Sequence, residues 1–454
     1  MTRATVRGCE RDAAERGKAA RQSVGRAELG QWRPGPDRAD PVTMLVRQGR
    51  GRVPELLPIR YARMAQSPFA FLRGAAAVMA ADLAATPNTG LTAQLCGDAH
   101  LANFGLYASP ERNLVFDVND FDETLPGPFE WDVKRLVASV AVAARDNGCT
   151  DEQAGTAVVA AARAYRETVS AMAGLDSLAV WYDMVDADQV AELVRKPKRR
   201  KQVEKTVAGA RKHTSLQALS KLTETGSDGR PRIKNQPPLL VPIELRDESV
   251  VEQVFADYRR SLADERRVLL DRYELVDTGM KVVGVGSVGT RCFIALLMDK
   301  ESGAPLFIQL KEALTSVLAE HARSSRFRHQ GHRVVAGQRL MQSASDIFLG
   351  WASGPAGRFF YLRQLRDMKG SADIDAMSHA ELSRYAALCG SVLARAHARS
   401  GDRIALAAYL GSGDKFDRAM GEFALAYADQ TLLDHRSLLD AIESGRVEAA
   451  ADPY

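Results

Sequence analysis

The stretch Cys96-Gly97-Asp98-Ala99-His100-Leu101-Ala102-Asn103-Phe104-Gly105 constrains the fold of this chain most. Thr92 to Leu95 before it reads as a short buried strand, and Gly97 breaks that strand. Asp98, His100 and Asn103 then fall on a tight loop. A second apolar stretch, Asn113 to Val118, ends in Asn119-Asp120-Phe121-Asp122-Glu123. Two strand-to-loop corners thus present an Asp with an Asn five residues on, and then an Asp-Phe-Asp. These are hard oxygen ligands suited to Mg²⁺, with a carboxylate left over to take a hydroxyl proton.

The rest of the chain sets the frame for that motif. Its 454 residues suit two to three domains or one two-lobed enzyme. A net charge of +4 is too small to argue for a nucleic-acid partner. The cysteines, Cys9, Cys96, Cys149, Cys292 and Cys389, are scattered and contain no Cys-x-x-Cys spacing, so neither a zinc site nor a disulfide framework is expected. No apolar run is long enough to cross a bilayer, and the charged start lacks the apolar region of a secretory signal. The expectation is a cytoplasmic protein with no membrane partner. Residues 1–40 read as a disordered charged tail ending in Arg33-Pro34-Gly35-Pro36. Residues 41–245 carry the Asp98 and Asp120 loops and a basic insertion, 195–235. That insertion is expected either to hold an anionic substrate or to be a solvated loop. Arg60, Arg63 and Arg73 lie on helical sequence before the first motif and read more readily as exposed helix arginines than as phosphate ligands.

Residues 246–370 hold a second motif. Leu275 to Val283 alternates like a strand and enters Gly284-Val285-Gly286-Ser287-Val288-Gly289. Arg291 to Met298 is again strand-like, and a third strand, Pro305 to Leu310, ends at Lys311. A dinucleotide-binding glycine loop opens a helix, whereas this one lies between two strands. Strand, glycine loop, strand and Lys strand is the order of a kinase small lobe. Glycines there let backbone N–H groups lie over phosphates, and the Lys reaches them as a point charge.

Taken together, Gly97-Asp98-x-His100-x-x-Asn103 resembles the catalytic loop of the aminoglycoside phosphotransferase and choline kinase branch of the protein-kinase-like superfamily. Asp120-Phe121-Asp122 resembles the metal-binding motif of that branch, and Pro128 to Leu136 resembles its next helix. Most of the chain beyond the first forty residues resembles a bacterial family catalogued as domain of unknown function 2252, grouped with kinase-like folds. Two positions depart from the pattern. Cys96 stands where the small-molecule kinases usually carry His, and Arg291 stands where ordinary kinases carry a Val against adenine.

The resemblance implies an α+β, two-lobed, protein-kinase-like fold with a small antiparallel-sheet lobe and a larger, mostly helical lobe. The glycine loop and Lys follow the catalytic Asp here, so the fold is expected to be circularly permuted, with residues 371–454 completing the large lobe. Its helix Ser378 to Ser400 is expected to run under the catalytic loop. The implied activity is ATP- and Mg²⁺-dependent phosphoryl transfer to a hydroxyl of an unidentified acceptor, a small molecule in preference to a protein. Asp98 would serve as base, with His100 and Asn103 beside it. Asn103, Asp120 and Asp122 would hold metal. Gly284, Gly286, Ser287, Gly289 and Lys311 would hold the phosphates, Glu320 would pair with Lys311, and Gln364 would border adenine. A nucleotide-binding pseudokinase with a regulatory partner and an AMP-transferring enzyme remain open alternatives.

Overall fold

The structure, a computed structural model, describes residues 3–450 except 188–196, 213–214, 244–247, 283, 285, 287, 323–324 and 366–367. It is an α+β fold whose described strands all pair antiparallel. Strands β1 (Thr92–Leu95), β2 (Phe104–Ala108), β3 (Leu114–Val118) and β4 (Leu125–Pro128) frame the two acidic loops. β1 pairs with β4, and β2 pairs with β3. β5 (Thr223–Thr225) and β6 (Pro231–Ile233) form a separate ribbon, packed on the larger sheet through Ile233.

The larger sheet comprises β7 (Leu240–Pro242), β8 (Tyr273–Lys281), β9 (Cys292–Asp299), β10 (Pro305–Glu312), β11 (Gly350–Ser353) and β12 (Phe359–Gln364). Its spatial order is β11-β12-β10-β9-β8-β7. A two-residue period assigns its faces. Ala295, Leu297, Leu306 and Ile308 pack with Tyr258 of the helix Glu248–Ser261. Ile294, Leu296 and Phe307 pack on the other side with Ala218 and Leu222 of the helix Ser215–Leu222. Gln309 and Lys311 of β10 alternate with the apolar Ile308 and Leu310, so that face becomes polar at the end of the strand.

The other body is helical. The helix Phe129–Asp146 is buried at every position from Phe129 to Ala144, which makes it the axis of the core. Around it pack the helices Asp151–Ala173, His379–Ser400 and Lys415–Glu443. Small residues let these axes approach. A Cβ at Gly390 would lie 2.2 Å from the carbonyl oxygen of Ala161. Among the described residues no helix is long and apolar enough to cross a membrane.

Two expectations need correction. Residues 3–23 form a helix, where a disordered tail was expected. Ala13, Ala20 and Val24 are buried, and Gly17 sits against the Ala405 backbone. The charged composition hid this stripe, because its side chains are too small to register as apolar periodicity. The larger sheet also begins before residue 246, since β7 pairs with β8.

β13 (Gly370–Ser371) follows β12 and pairs with β2, so the chain leaving the larger sheet is tied to the strand after Asn103. Between the two bodies, Arg333 of the helix Gln330–Met341 donates to the carbonyls of Asp122 (2.8 Å), Thr124 (2.7 Å) and Leu314 (2.8 Å).

Candidate functional site

The Asp98 loop is built from its backbone outward. Gly97 has φ +83°, and a Cβ there would lie 2.3 Å from the Glu123 carbonyl oxygen, so the turn admits no side chain. The buried Asp132, on the axial helix, accepts from the N–H groups of Cys96 (2.8 Å) and Gly97 (3.0 Å). His397 Nε2 lies 3.3 Å from the same carboxylate. From below, Tyr385 donates its hydroxyl to the carbonyls of Leu101 and Phe104, each at 3.1 Å. Asp132→Ala strips the acceptor from the buried Cys96 N–H, the part-buried Gly97 N–H and a buried His. It is expected to cost about 3–5 kcal/mol, read as a lower urea midpoint with an unchanged slope. An unshifted midpoint would show that the loop stands without it.

The Asp98 carboxylate faces a cavity of about 260 Å³. Arg135 holds its Oδ1 at 2.7 Å, and Asn103 Nδ2 donates to its carbonyl at 2.6 Å. Burial pushes the Asp98 carboxyl up to about 6, against the pull of Arg135. His100 Nε2 stands 3.7 Å from Asp98 Oδ2. Burial, then the charges of Arg73 and Arg135, push the imidazole well below its usual range, so it is neutral.

Lys311 crosses from the sheet to the second acidic loop. Its Nζ lies 3.3 Å from Asp120 and 2.5 Å from Asp122. Burial alone would raise the Asp120 carboxyl, but the charges of Lys311 and then Arg363 hold it well below the carboxylate range. The same carboxylates raise Lys311 against the effect of its burial. Tyr361, opposite Lys311 in the sheet register, donates its hydroxyl to Asp122 at 2.8 Å. Glu123 accepts from Val317 N at 2.7 Å, and its burial pushes it up to about 7.

The cavity wall brings together Asp98, His100, Asn103, Asp120, Asp122, Gly284, Gly286 and Lys311. Gly289 instead turns against the Arg52 side chain with φ +88°. Ser287 lies outside the described residues. Gln364 borders a smaller adjoining cavity of about 40 Å³, joined to the large one through Arg363 and Lys369.

Glu320 is not at the site. Its carboxylate is exposed and pairs with Arg47 at 2.6 Å. Glu312 points away from the cavity to Arg291 (3.1 Å), as strand alternation requires. Lys311 therefore takes its carboxylates from the Asp120 loop and none from the following helix. The basic insertion contributes no described residue to the large cavity wall. Within it Arg200 pairs with Glu204, while Lys196 and His213 lie outside the described residues.

Sequence reasoning missed Arg52, Glu123 and Gln309 on the wall, and undervalued Arg73. It also missed the supporting roles of Asp132 and Arg135, although both lie in the stretch singled out after β4. The charge of Arg363, with burial second, lowers Lys369 to about 7.

Among the described residues no group of three or more His, Cys, Asp or Glu side chains is placed to hold a metal ion. The donor set suits a cation that keeps water and substrate oxygens, as Mg²⁺ does. Asp120 and Asp122 would supply carboxylate oxygens. Asn103, whose Nδ2 is engaged, would supply its Oδ1.

The profile of a family described as an uncharacterized protein conserved in bacteria, DUF2252, matches residues 52–441. No curated protein and no solved structure matches the chain.

Proposed function

The chain belongs to the DUF2252 family, and from the chemistry of its cavity we propose that it is an ATP- and Mg²⁺-dependent phosphotransferase with a circularly permuted, kinase-like architecture. One observation carries this reading. Lys311 and Asp120 are 191 residues apart yet meet at 3.3 Å, on the same cavity wall as Asp98 and Asn103.

The permutation has its own support. The helix His379–Ser400 ends beside the start of β1, where Gln94 N donates to Ser400 Oγ at 3.2 Å. A chain joined there would run from that helix into the Asp98 loop, in the motif order of an unpermuted kinase.

Asp120, Asp122 and Asn103 would hold Mg²⁺, which would supply positive charge against the phosphates. Asp98, oriented by Arg135, accepts the proton of the acceptor hydroxyl. Burial raises its basicity for that task. Asn103 fixes the loop through the Asp98 carbonyl. Lys311 anchors phosphate, and Gly284 and Gly286 let backbone approach it without side chains. Neutral His100 turns its Nε2 toward Asp98, and its buried Nδ1 has no hydrogen-bond partner.

Product analysis with labelled MgATP and a panel of hydroxyl-bearing metabolites and proteins tests the proposal. ADP with a phosphorylated acceptor is expected. Release of pyrophosphate would replace it with AMP transfer, and binding without turnover would replace it with a pseudoenzyme.

A further inference from the structure

We propose that Arg52 and Arg73 form a second anion subsite in this cavity, which takes a phosphate group beyond those held at Lys311. The assignment of Lys311 rests on the phosphotransferase reading.

Arg52 follows the helix Pro41–Gly49 and is 6% exposed. It braces the glycine turn: its Nη1 donates to the Val288 carbonyl at 2.5 Å, and Val53 N donates to Gly289 O at 2.7 Å. Its Nε has no hydrogen-bond partner. Arg73, near the end of the helix Pro68–Gly74, shares the cavity wall with it, and its Nε is likewise unpartnered. Behind them Arg60 is fully buried. Its Nη2 donates to Gln48 Oε1 (2.7 Å) and Gly74 O (2.9 Å), while its Nε and Nη1 remain unpartnered. Gln48 and Gly74 also line the cavity.

Among the described residues none of these three arginines forms an ion pair. Arg135 and Arg166, by contrast, are held by Asp98 and Asp417, and the buried Arg333 is satisfied by three backbone carbonyls. Guanidinium groups with unpartnered N–H and no ion pair beside one cavity carry a desolvation cost that a bound anion offsets. The planar fork matches phosphate oxygens, and this much positive charge favours a phosphate dianion over a single carboxylate.

The position bears on the chemistry. The charge of Arg73 reaches Asp375 first and then Asp98, and the charge of Arg52 reaches Glu123 and Asp122. The subsite thus lies beside the proton acceptor as well as the metal-binding carboxylates. Two molecules offer the required group: an acceptor that is itself a phosphomonoester, or a nucleotide bound with its terminal phosphate toward these arginines.

Calorimetric titration of the full chain with inorganic phosphate tests the proposal, alone and with saturating MgADP or MgATP. Arg73→Gln and Arg52→Gln are each expected to weaken phosphate by about tenfold or more. Arg52 is buried, so its variant counts only if its circular dichroism melt matches wild type; otherwise Arg73→Gln alone decides. Phosphate binding that persists with MgADP places the subsite apart from Lys311. Persistence with MgATP as well identifies the acceptor as the source, whereas displacement by MgATP alone identifies the terminal phosphate of the nucleotide. Unchanged phosphate affinity in Arg73→Gln, or displacement by MgADP, overturns the subsite. Failure of MgADP to bind at all would count against the phosphotransferase reading, while the Arg73→Gln titration would still decide the subsite.

Discussion

Asp98→Asn is expected to lower MgATP turnover by about two to four orders of magnitude while leaving nucleotide affinity nearly unchanged. The substitution keeps the shape of the side chain and a hydrogen bond to Arg135 but removes the basic oxygen. The same variant carries a stability signature of opposite sign. The folded Asp98 carboxyl sits at about 6, above its ordinary 3.8. A group raised in this way favours the folded state most when protonated, and that contribution is lost as pH rises from the unfolded value through the folded one. The neutral amide escapes the loss. In metal-free buffer at pH 7 the variant should therefore melt no lower than wild type, and any advantage should shrink as pH falls toward 4. A collapse of nucleotide affinity, or a markedly lower melting temperature, would recast Asp98 as a binding or folding residue.

Asp120→Ala is expected to abolish Mg²⁺-dependent turnover, a loss of about three orders of magnitude or more. Lys311 keeps Asp122 at 2.5 Å, so its buried ammonium is not left unpaired. The fold should survive with a modest loss of stability. The measurement is nucleotide turnover against Mg²⁺ concentration, beside a thermal melt. Wild-type turnover with an unaltered Mg²⁺ dependence would reject Asp120 as a ligand. Unfolding of the variant would instead assign the Asp120–Lys311 contact to stability, and Asp120→Asn, which keeps the shape, would then separate the two roles.

Both experiments rest on residues visible in the sequence, because their signals are local. Gly97 and the residues after it specify a tight turn whatever surrounds them, since φ +83° belongs to glycine. Alternation in Pro305–Glu312 fixes which of its residues share a face, which is why Lys311 and Glu312 diverge. The helix His379–Ser400 lies where the resemblance implied one over Ser378 to Ser400, and its capping box at Ser378 and Glu381 marks where it begins.

What the sequence could not decide was which distant groups share a charge. Glu320 looked like the partner of Lys311 because it follows the Lys strand, yet packing turns it out to Arg47. Asp122 takes that place, held on one side by Tyr361 and on the other, through its carbonyl, by Arg333. Arg52 and Arg73 gave no periodic signal that separates a cavity wall from a solvated helix face. Asp132 and Arg135 lie on a helix buried all round, so their inward positions could not be read from amphipathicity. Local backbone preferences and side-chain periods act over a few residues, and the sequence alone determined those. Pairing of buried charges depends on desolvation by elements hundreds of positions away. Only the tertiary structure, therefore, decided that Lys311, the carboxylates of Asp98, Asp120 and Asp122, and the guanidinium groups of Arg52 and Arg73 would line one cavity.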